Sequence, residues 1–373
     1  MTAEAANSGS RPDTASRPGT ASHPWTQPLA SLAIRPLRYL NATVLRQRPP
    51  SRWLTPNRVI REDDAHRLRD FTPLPDGPPT VPLLIVPPEV NRSNIVDFGP
   101  GQSLVQAALG HGFARVAAIE WRDVSHSAAA ARRDIDDSVA TIRDAIGALG
   151  GRAHLLGVCQ GGWESAIAAA LAPDATTSLT LVAAPIDFHA GSGVVKQVSR
   201  LMPMAAYRGL VLRGRGAMPG ELISTGFDLL SPFQRFCVTP WSVWARLDDD
   251  RWMGRHHQLQ DWYRSPKDLP GPLYLRAVRE LFKENRLIGG RLVACGRTVD
   301  LAAIHCPLCL VAGRRDHITP PPQVWAARRA VSSRRVHEVE TEGGHIGTFM
   351  GRAEVRDQWP GIFEWLLAQE CDA

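Results

Sequence analysis

The stretch Gly157-Val158-Cys159-Gln160-Gly161-Gly162 decides the fold that this sequence predicts. The apolar residues 153–156 come just before it and predict a short buried strand. The alanine-rich residues 163–171 follow it and predict a helix that ends near Pro173. A strand, a Gly-x-Cys-x-Gly turn and a helix together form the layout of a nucleophile elbow, with cysteine where serine is more common.

Each residue type in this turn has a physical reason. Gly157 and Gly161 carry no side chain that could collide inside so sharp a bend. The helix that follows points its free N–H groups and its positive end at Cys159, which favours a thiolate over a thiol. We therefore interpret Cys159 as a catalytic nucleophile. The alternative is a structural cysteine in a glycine-rich turn.

Segments typical of strands and of helices alternate on both sides of the elbow. The predicted strands cover residues 81–86, 115–121, 153–156, 178–183, 306–312 and 335–339, and the predicted helices cover 104–109, 135–149, 163–171, 323–331 and 355–367. This alternation predicts the α/β class with a doubly wound, mostly parallel sheet. Together with the elbow, it predicts the α/β-hydrolase fold.

Composition divides the chain into four parts. Residues 1–52 form a tail in which residues 1–28, rich in Ser, Thr, Ala, Pro and Gly, are expected to be disordered. Within it, residues 29–45 predict a short amphipathic segment interrupted by Pro36. This segment is expected to dock on the protein's own body, with a partner or a lipid-like surface as the alternatives. Residues 53–188 and 291–373 are assigned to the hydrolase core, and residues 189–290, dense in Trp, Arg and Pro, to an inserted cap subdomain.

The charge of the chain narrows the choice of partners. The formal net charge is +6, and 40 of the 43 basic residues are arginines spread along the chain rather than clustered. The scattered arginines give little support to nucleic-acid binding. The excess positive charge would fit an anionic substrate, such as a CoA ester, equally well. Neither a secretory signal nor an apolar stretch of the roughly 20 residues that a transmembrane segment needs is found.

The six cysteines follow no regular framework, which favours a reduced cytoplasmic protein. Cys306 and Cys309 match a C-x-x-C pattern, but they lie in a predicted strand and lack a second pair. We therefore expect them to pack in the core rather than bind a metal, and no metal or resident cofactor is predicted.

A candidate triad follows from chain order. Cys159, Asp316 and His345 occur in the nucleophile–acid–histidine order of α/β hydrolases, each in a segment directly after a predicted strand. The alternatives are weaker: His154 lies on the elbow strand, His317 is beside the acid, and His256 and His257 lie in the cap. His317 is expected to support its loop.

An oxyanion hole needs two backbone N–H donors. Gln160, the residue after the nucleophile, is expected to provide one. The loop after the strand at residues 81–86 is expected to provide the other, and since Pro87 and Pro88 lack an N–H, the donor is Glu89 or Val90. This assignment leaves the Glu89 carboxylate near the proposed donors.

From Trp53 to Ala368 the chain resembles the catalytic subunit (PhaC) of class III polyhydroxyalkanoate synthases, which have the α/β-hydrolase fold. The segments that carry the likeness are 81–86 with 90–92, 156–162, 185–188, 219–222, 284–287, 299–301, 316–320 and 343–347.

The resemblance implies that Cys159 carries the growing acyl chain, that His345 activates it and that Asp316 assists the incoming hydroxyl. It also implies (R)-3-hydroxyacyl-CoA as the substrate, with CoA as a product rather than a cofactor, and a polyester product made in the cytoplasm at polymer granules. A PhaE-type partner subunit or a homodimer is further implied.

The chemistry of the predicted nucleophile agrees with this resemblance. A cysteine that attacks a CoA thioester forms another thioester, so the acyl group remains activated for transfer to a hydroxyl. Two other interpretations remain open. One is a hydrolase, such as an intracellular polyester depolymerase or a thioesterase, that uses the same triad with water as the acceptor. The other is a granule-surface binding protein without catalytic activity.

Overall fold

A computed structural model describes residues 29–47, 51–72, 80–230 and 234–370, without the side chains of residues 29–33, 234 and 235. The predicted disorder of residues 1–28 falls outside this part of the chain. The strands are β1 (Arg58–Glu62), β2 (His66–Asp70), β3 (Leu83–Val86), β4 (Asp97–Gly99), β5 (Gln102–Ser103), β6 (Val116–Trp121), β7 (Ala153–Val158), β8 (Thr176–Val182), β9 (Ala217–Met218), β10 (Leu269–Pro270), β11 (Val293–Ala294), β12 (Arg297–Thr298), β13 (Leu308–Gly313) and β14 (Val336–Thr341).

The α-helices are interspersed with these strands. They are α1 (Leu29–Leu40), α2 (Leu104–Gly110), α3 (Ala128–Arg132), α4 (Ile135–Ala148), α5 (Gln160–Leu171), α6 (Val194–Leu201), α7 (Met204–Arg213), α8 (Gly220–Leu230), α9 (Thr239–Ala245), α10 (Asp250–Tyr263), α11 (Gly271–Arg276), α12 (Pro321–Trp325), α13 (Ala327–Ala330), α14 (Gly347–Met350), α15 (Arg352–Asp357) and α16 (Trp359–Ala368).

Eight strands form the central sheet in the order β1-β2-β6-β3-β7-β8-β13-β14. The six strands from β6 to β14 pair in parallel, and the β1–β2 hairpin adds two antiparallel strands at one edge. β3, β7, β8 and β13 are buried at every position, which explains the largely apolar sequences of β3, β7 and β13, whereas β8 also buries Thr and Ser side chains. The predicted fold class is confirmed.

Helices cover both faces of the sheet. On one face, α4 and α5 pack against it through side chains such as Ile142 and Ile167. On the other face, α2 and α16 do the same through Leu104 and Phe363. The layers hold the strands rigidly, so the loops at their carboxyl ends have fixed positions.

The ends of several elements differ from the sequence prediction. The hairpin β1–β2 was not predicted, because its strands are rich in charged residues and full burial is limited to alternate residues of β2. Residues 323–331 lie in two short helices, α12 and α13, rather than in one. The predicted helix 355–367 is likewise divided into α15 and α16 by a break before Trp359. Pro36 lies inside α1 rather than interrupting it.

Residues 189–290, between β8 and β13, contribute α6 to α11 and two short strands, β9 and β10, that pair with each other. These elements lie where the sequence analysis placed a cap. The segment from α1 to Arg46 contacts this region: Arg35 donates to the carbonyl oxygen of Trp244 at 2.8 Å, and Tyr39 packs near the same residue. The amphipathic N-terminal segment therefore rests on the protein's own body.

Candidate active site

Cys159 occupies the turn between β7 and α5 with φ 52° and ψ −113°, a conformation that strains any residue other than glycine. The turn is also tightly packed. A Cβ atom at Gly157 would overlap the backbone of Gly161 and Gly162, and one at Gly161 would overlap the backbone of Val86. The glycines of the motif are thus required by close approach, and they leave the half-buried Cys159 side chain at the top of the sheet.

Asp316 and His345 come from loops after the two neighbouring strands β13 and β14. The Oδ2 atom of Asp316 lies 2.7 Å from Nδ1 of His345. Its Oδ1 atom accepts hydrogen bonds of 2.9 Å from the amides of Ile318 and Thr319. The carboxylate is therefore fixed in place by its own loop and holds the imidazole through Nδ1, and Cys159 lies close enough to affect the pKa of His345.

The charge state of His345 depends on these two neighbours. Burial by itself would lower the pKa of the imidazole. The negative charges of a Cys159 thiolate and of Asp316, with the hydrogen bonds to both, outweigh burial and raise the pKa of His345 well above its ordinary value. The arrangement therefore favours the imidazolium form of His345 beside the nucleophile.

A cavity of about 180 Å³ opens from Cys159. Core residues such as Trp163 and Phe188 form one part of its wall, and cap residues such as Phe227 and Leu273 form another. Most of the lining is apolar. The only cation in that lining, among the described residues, is Lys196, whose Nζ donates to the carbonyl oxygens of His189 and Gly191. The site can thus receive a short acyl group away from bulk water.

The three candidate oxyanion residues divide into two groups. Gln160 and Val90 line the cavity beside Cys159, and Gln160 lies in the first turn of α5, where backbone N–H groups have no partner within the helix. Glu89 is absent from the described lining. Its carboxylate instead forms a bidentate ion pair with Arg133, with both N–O distances at 2.9 Å and both side chains buried.

The sequence places the Glu89 carboxylate near the proposed oxyanion donors. The ion pair with Arg133 compensates the negative charge of this carboxylate. The guanidinium of Arg133 also stacks over the Trp121 ring, and the Trp121 indole N–H donates to the carbonyl oxygen of Pro87 at 2.8 Å. Both contacts hold the loop that carries Val90. Sequence reasoning missed Arg133, since nothing in its spacing from Glu89 marks the two as partners.

Glu164 is a second group that the sequence did not single out. It is fully buried one turn along α5 from Gln160, whose side-chain amide donates to Glu164 Oε1 at 3.0 Å. Burial, reinforced by the charge of Glu89, raises the pKa of Glu164 to about 8. This carboxyl is therefore mainly neutral at pH 7.

The other sequence candidates lie apart from the cavity. His154 is buried between Ser178 and Glu370, with ring nitrogens 2.7 Å and 3.0 Å from their oxygens. Cys309 lies in the core of β13. No cluster of His, Cys, Asp and Glu able to hold a metal ion occurs among the described residues, and no helix in that part of the chain is long and apolar enough to cross a membrane.

The fold and the elbow define the chain as an α/β-hydrolase-fold protein. Residues 136–352, more than half of the chain, match the family described as protein of unknown function (DUF3141), and the chain belongs to this family. Among solved structures, a monoacylglycerol lipase from Paleococcus ferrophilus superposes with a TM-score of 0.52 at 16% identity, over 82% of this chain and 99% of that one. At this level of identity the likeness concerns the fold alone.

Curated relatives carry one shared name, poly(3-hydroxyalkanoate) polymerase subunit PhaC. The protein from Haloferax mediterranei is 28% identical over 83% of this chain, which spans 63% of that relative's length. The protein from Allochromatium vinosum is 29% identical over 84% of this chain and 88% of its own. The Cupriavidus necator protein is 30% identical over 79% of this chain and 51% of its own. The similarity to PhaC subunits is confirmed.

Proposed function

We propose that this protein is a poly(3-hydroxyalkanoate) synthase-like acyltransferase that polymerises (R)-3-hydroxyacyl-CoA. The observation that carries the proposal is the half-buried Cys159 side chain at a strained elbow, which lines an apolar cavity and lies close enough to His345 to raise its pKa. The relatives named as polymerases, similar over more than four fifths of the chain, support the same reaction.

In the first step, the thiolate of Cys159 attacks the thioester carbonyl of the substrate. The negative charge that develops on the carbonyl oxygen is stabilised by the backbone N–H groups of Gln160 and Val90. The carbon–sulfur bond to CoA then breaks, and the imidazolium of His345 gives the thiol proton to the departing CoA. The products are free CoA and an acyl group held on Cys159 as a thioester.

In the second step, the hydroxyl of another hydroxyacyl unit attacks this thioester. His345 takes the hydroxyl proton as the carbon–oxygen bond of the new ester forms and Cys159 leaves as a thiolate. Asp316 acts through His345 in this scheme, because its two oxygens are already occupied by the imidazole and by loop amides. In this scheme Asp316 therefore does not assist the incoming hydroxyl directly, whereas the sequence resemblance implied that it does.

The cysteine thioester keeps the acyl group activated, so its transfer to an alcohol runs downhill. Serine would form an ester in the first step and lose that driving force. The apolar lining supplied by core and cap excludes water, which would otherwise release the free acid. The scheme uses only the chain's own side chains and backbone, with CoA entering as part of the substrate and the polyester collecting at cytoplasmic granules.

The test is to incubate the purified protein with (R)-3-hydroxybutyryl-CoA, with and without a PhaE-type subunit. We expect CoA release together with insoluble polymer. Free 3-hydroxybutyrate without polymer would instead establish the hydrolase. A second test uses cells in which the Cys159→Ala variant is the only form of the protein. Polymer that still accumulates in these cells would contradict both enzymatic functions and favour the interpretation as a granule-binding protein.

A further inference from the structure

A second cavity, of about 590 Å³, lies beside the candidate active site and has a very different lining. Its volume is typical of small-ligand sites, and cations outnumber carboxylates on its walls. The cationic side chains are Arg52, Arg67, Arg69, Arg92, Arg122 and Lys267, and the carboxylates are Glu120 and Asp123. We call this cavity the basic cleft.

The basic cleft lies at the same edge of the sheet as Cys159. Trp121, the last residue of β6, lines it, and the carboxyl ends of the parallel strands β6, β3 and β7 all point to this edge. Two chain segments separate it from the apolar cavity. In the first segment, Val90 faces the cavity and Arg92 the cleft; in the second, Leu269 faces the cavity and Lys267 the cleft. The two residues of each pair are two positions apart, which is about 7 Å of extended backbone. The same two short segments therefore line both the apolar cavity and the basic cleft.

The arginines of the basic cleft differ in what they already bind. Three of them form ion pairs at its rim: Arg67 with Glu62, Arg69 with Glu120, and Arg122 with Glu62. Arg52 and Arg92 are exposed, and neither pairs with a carboxylate of the described chain. Within the described chain, the guanidinium of Arg92 donates only to the carbonyl oxygen of Ser265, at 3.3 Å. Both guanidinium groups can therefore turn toward an anion.

Lys267 places a buried ammonium group at the wall of the basic cleft, in addition to the exposed arginines. Its side chain is only 4% exposed, and Nζ donates to the carbonyl oxygen of Trp121. Burial lowers the pKa of Lys267 to about 8, although Glu89 and Asp123 favour its charged form. An ammonium carries three donors, so a buried one at the wall of a cationic cleft favours an anionic ligand.

We propose that the basic cleft binds the phosphate groups of a CoA ester whose thioester lies in the apolar cavity; this assignment of the ligand rests on the proposed function. The apolar cavity is too small and too apolar to take a charged nucleotide, so the phosphates must lie outside it. Guanidinium groups suit phosphate because they offer paired donors in a fixed plane. The long pantetheine arm would then pass over the segments that contain Val90 and Leu269.

The test uses the full chain with Arg52→Ala and Arg92→Ala combined. Arg291→Ala is the matched control, because Arg291 is also exposed and also donates to a backbone carbonyl, outside the cleft. Calorimetry with CoA should show affinity reduced about tenfold or more in the double variant and unchanged in the control. Circular dichroism confirms that both variants are folded.

A second measurement separates the phosphates from the rest of the substrate. The N-acetylcysteamine thioester of 3-hydroxybutyrate lacks phosphate, so its KM should change by less than about twofold in the double variant, while the KM for the CoA ester rises in step with the lost affinity. Equal losses on both substrates would overturn the proposal.

Two further outcomes would also overturn it. One is CoA affinity that is the same in the double variant and the unmodified protein. The other is inorganic pyrophosphate that binds as tightly as CoA, since the cleft would then be a general anion site. The proposed function can fail separately: cleft-dependent CoA binding without polymer would support the basic cleft and contradict only the polymerase.

Discussion

At the scale of single residues, the site depends on the charged groups that surround the His345 imidazole. The imidazole is buried, and a buried cation is unfavourable unless negative groups compensate for it. Asp316 and Cys159 are the two groups whose negative charge raises the pKa of His345. Their charges therefore favour the protonated imidazole, as expected of the base beside a nucleophile.

Cys159→Ala should lower the pKa of His345, because it removes one of the two negative charges that raise it. A histidine with a raised pKa contributes stability that is complete below its unfolded pKa of about 6.5 and is lost as pH rises through the folded value. The variant should therefore lose part of this contribution at neutral pH. Imidazole NMR titration gives the pKa directly.

Cys237→Ala is the control for this titration, since Cys237 is an exposed free cysteine elsewhere in the chain. It should leave the pKa of His345 unchanged. An unaltered His345 titration in Cys159→Ala would mean that the thiol and the imidazole do not interact.

At the scale of elements, the loop after β3 and the start of α5 are linked by buried charges. Glu89 is neutralised by Arg133, and Glu164 is neutral because it is buried close to Glu89. The proposed oxyanion donors Gln160 and Val90 thus lie close along the chain to carboxyl groups that carry little uncompensated charge at pH 7. Substitution of either Arg133 or Glu164 should disturb this balance of charges.

Arg133→Met should destabilise the fold by about 3 kcal/mol, because it leaves Glu89 charged and buried without a partner. The double variant Glu89→Gln with Arg133→Met should recover a large part of this loss, since no buried charge remains. Urea denaturation measures both. Arg132→Met is the matched control, because the neighbouring Arg132 is exposed; it should change stability by less than about 0.5 kcal/mol. An equal loss in the single and double variants would contradict the role of charge.

Glu164→Gln should stabilise the protein increasingly as pH rises toward 8. Because the folded pKa of Glu164 is above its unfolded value, the native state holds a proton that the unfolded state lacks. Stability therefore falls as pH rises between the two values, by up to about 1.4 kcal/mol per pH unit. The variant lacks this slope, and its amide oxygen can still accept from Gln160. Denaturation at pH 6, 7 and 8 would contradict this account if both proteins showed the same slope.

At the scale of the whole molecule, the hydrolase core and the proposed cap both line the cavity beside Cys159. The elbow, the acid and the histidine come from the ends of β7, β13 and β14, while cap residues such as Phe227 close the cavity. At about 180 Å³ the cavity is smaller than the roughly 300–1,000 Å³ that is common for small-molecule pockets. Short acyl chains should therefore be preferred.

Phe227→Ala should widen the cavity and raise the preference for longer acyl chains. The ratio of kcat/KM for 3-hydroxyhexanoyl-CoA to that for 3-hydroxybutyryl-CoA should rise by on the order of tenfold, the scale of discrimination in apolar pockets. Phe236→Ala is the control, because Phe236 is an exposed cap aromatic outside the described cavity lining. A ratio that rises equally in both variants would show that the cavity does not select chain length.

Much of this organisation can be predicted from the sequence. The parallel core follows from apolar strands that alternate with helices, and the positions of Cys159, Asp316 and His345 follow from chain order at strand ends. The β1–β2 hairpin could not be predicted in this way, because its charged residues pair across the sheet rather than along the chain. The Glu89–Arg133 pair joins residues 44 positions apart, and the burial of Glu164 depends on packing that no local pattern encodes.

The most direct test of the account is to locate the acyl group during turnover. The protein is mixed with (R)-3-hydroxybutyryl-CoA, quenched in acid and digested, and the peptides are analysed by mass spectrometry. We expect a hydroxybutyryl or oligomeric adduct on the peptide that contains Cys159, formed with CoA release and absent in Cys159→Ala. CoA release and polymer formation that continue in Cys159→Ala, or an adduct on a different residue, would contradict the account.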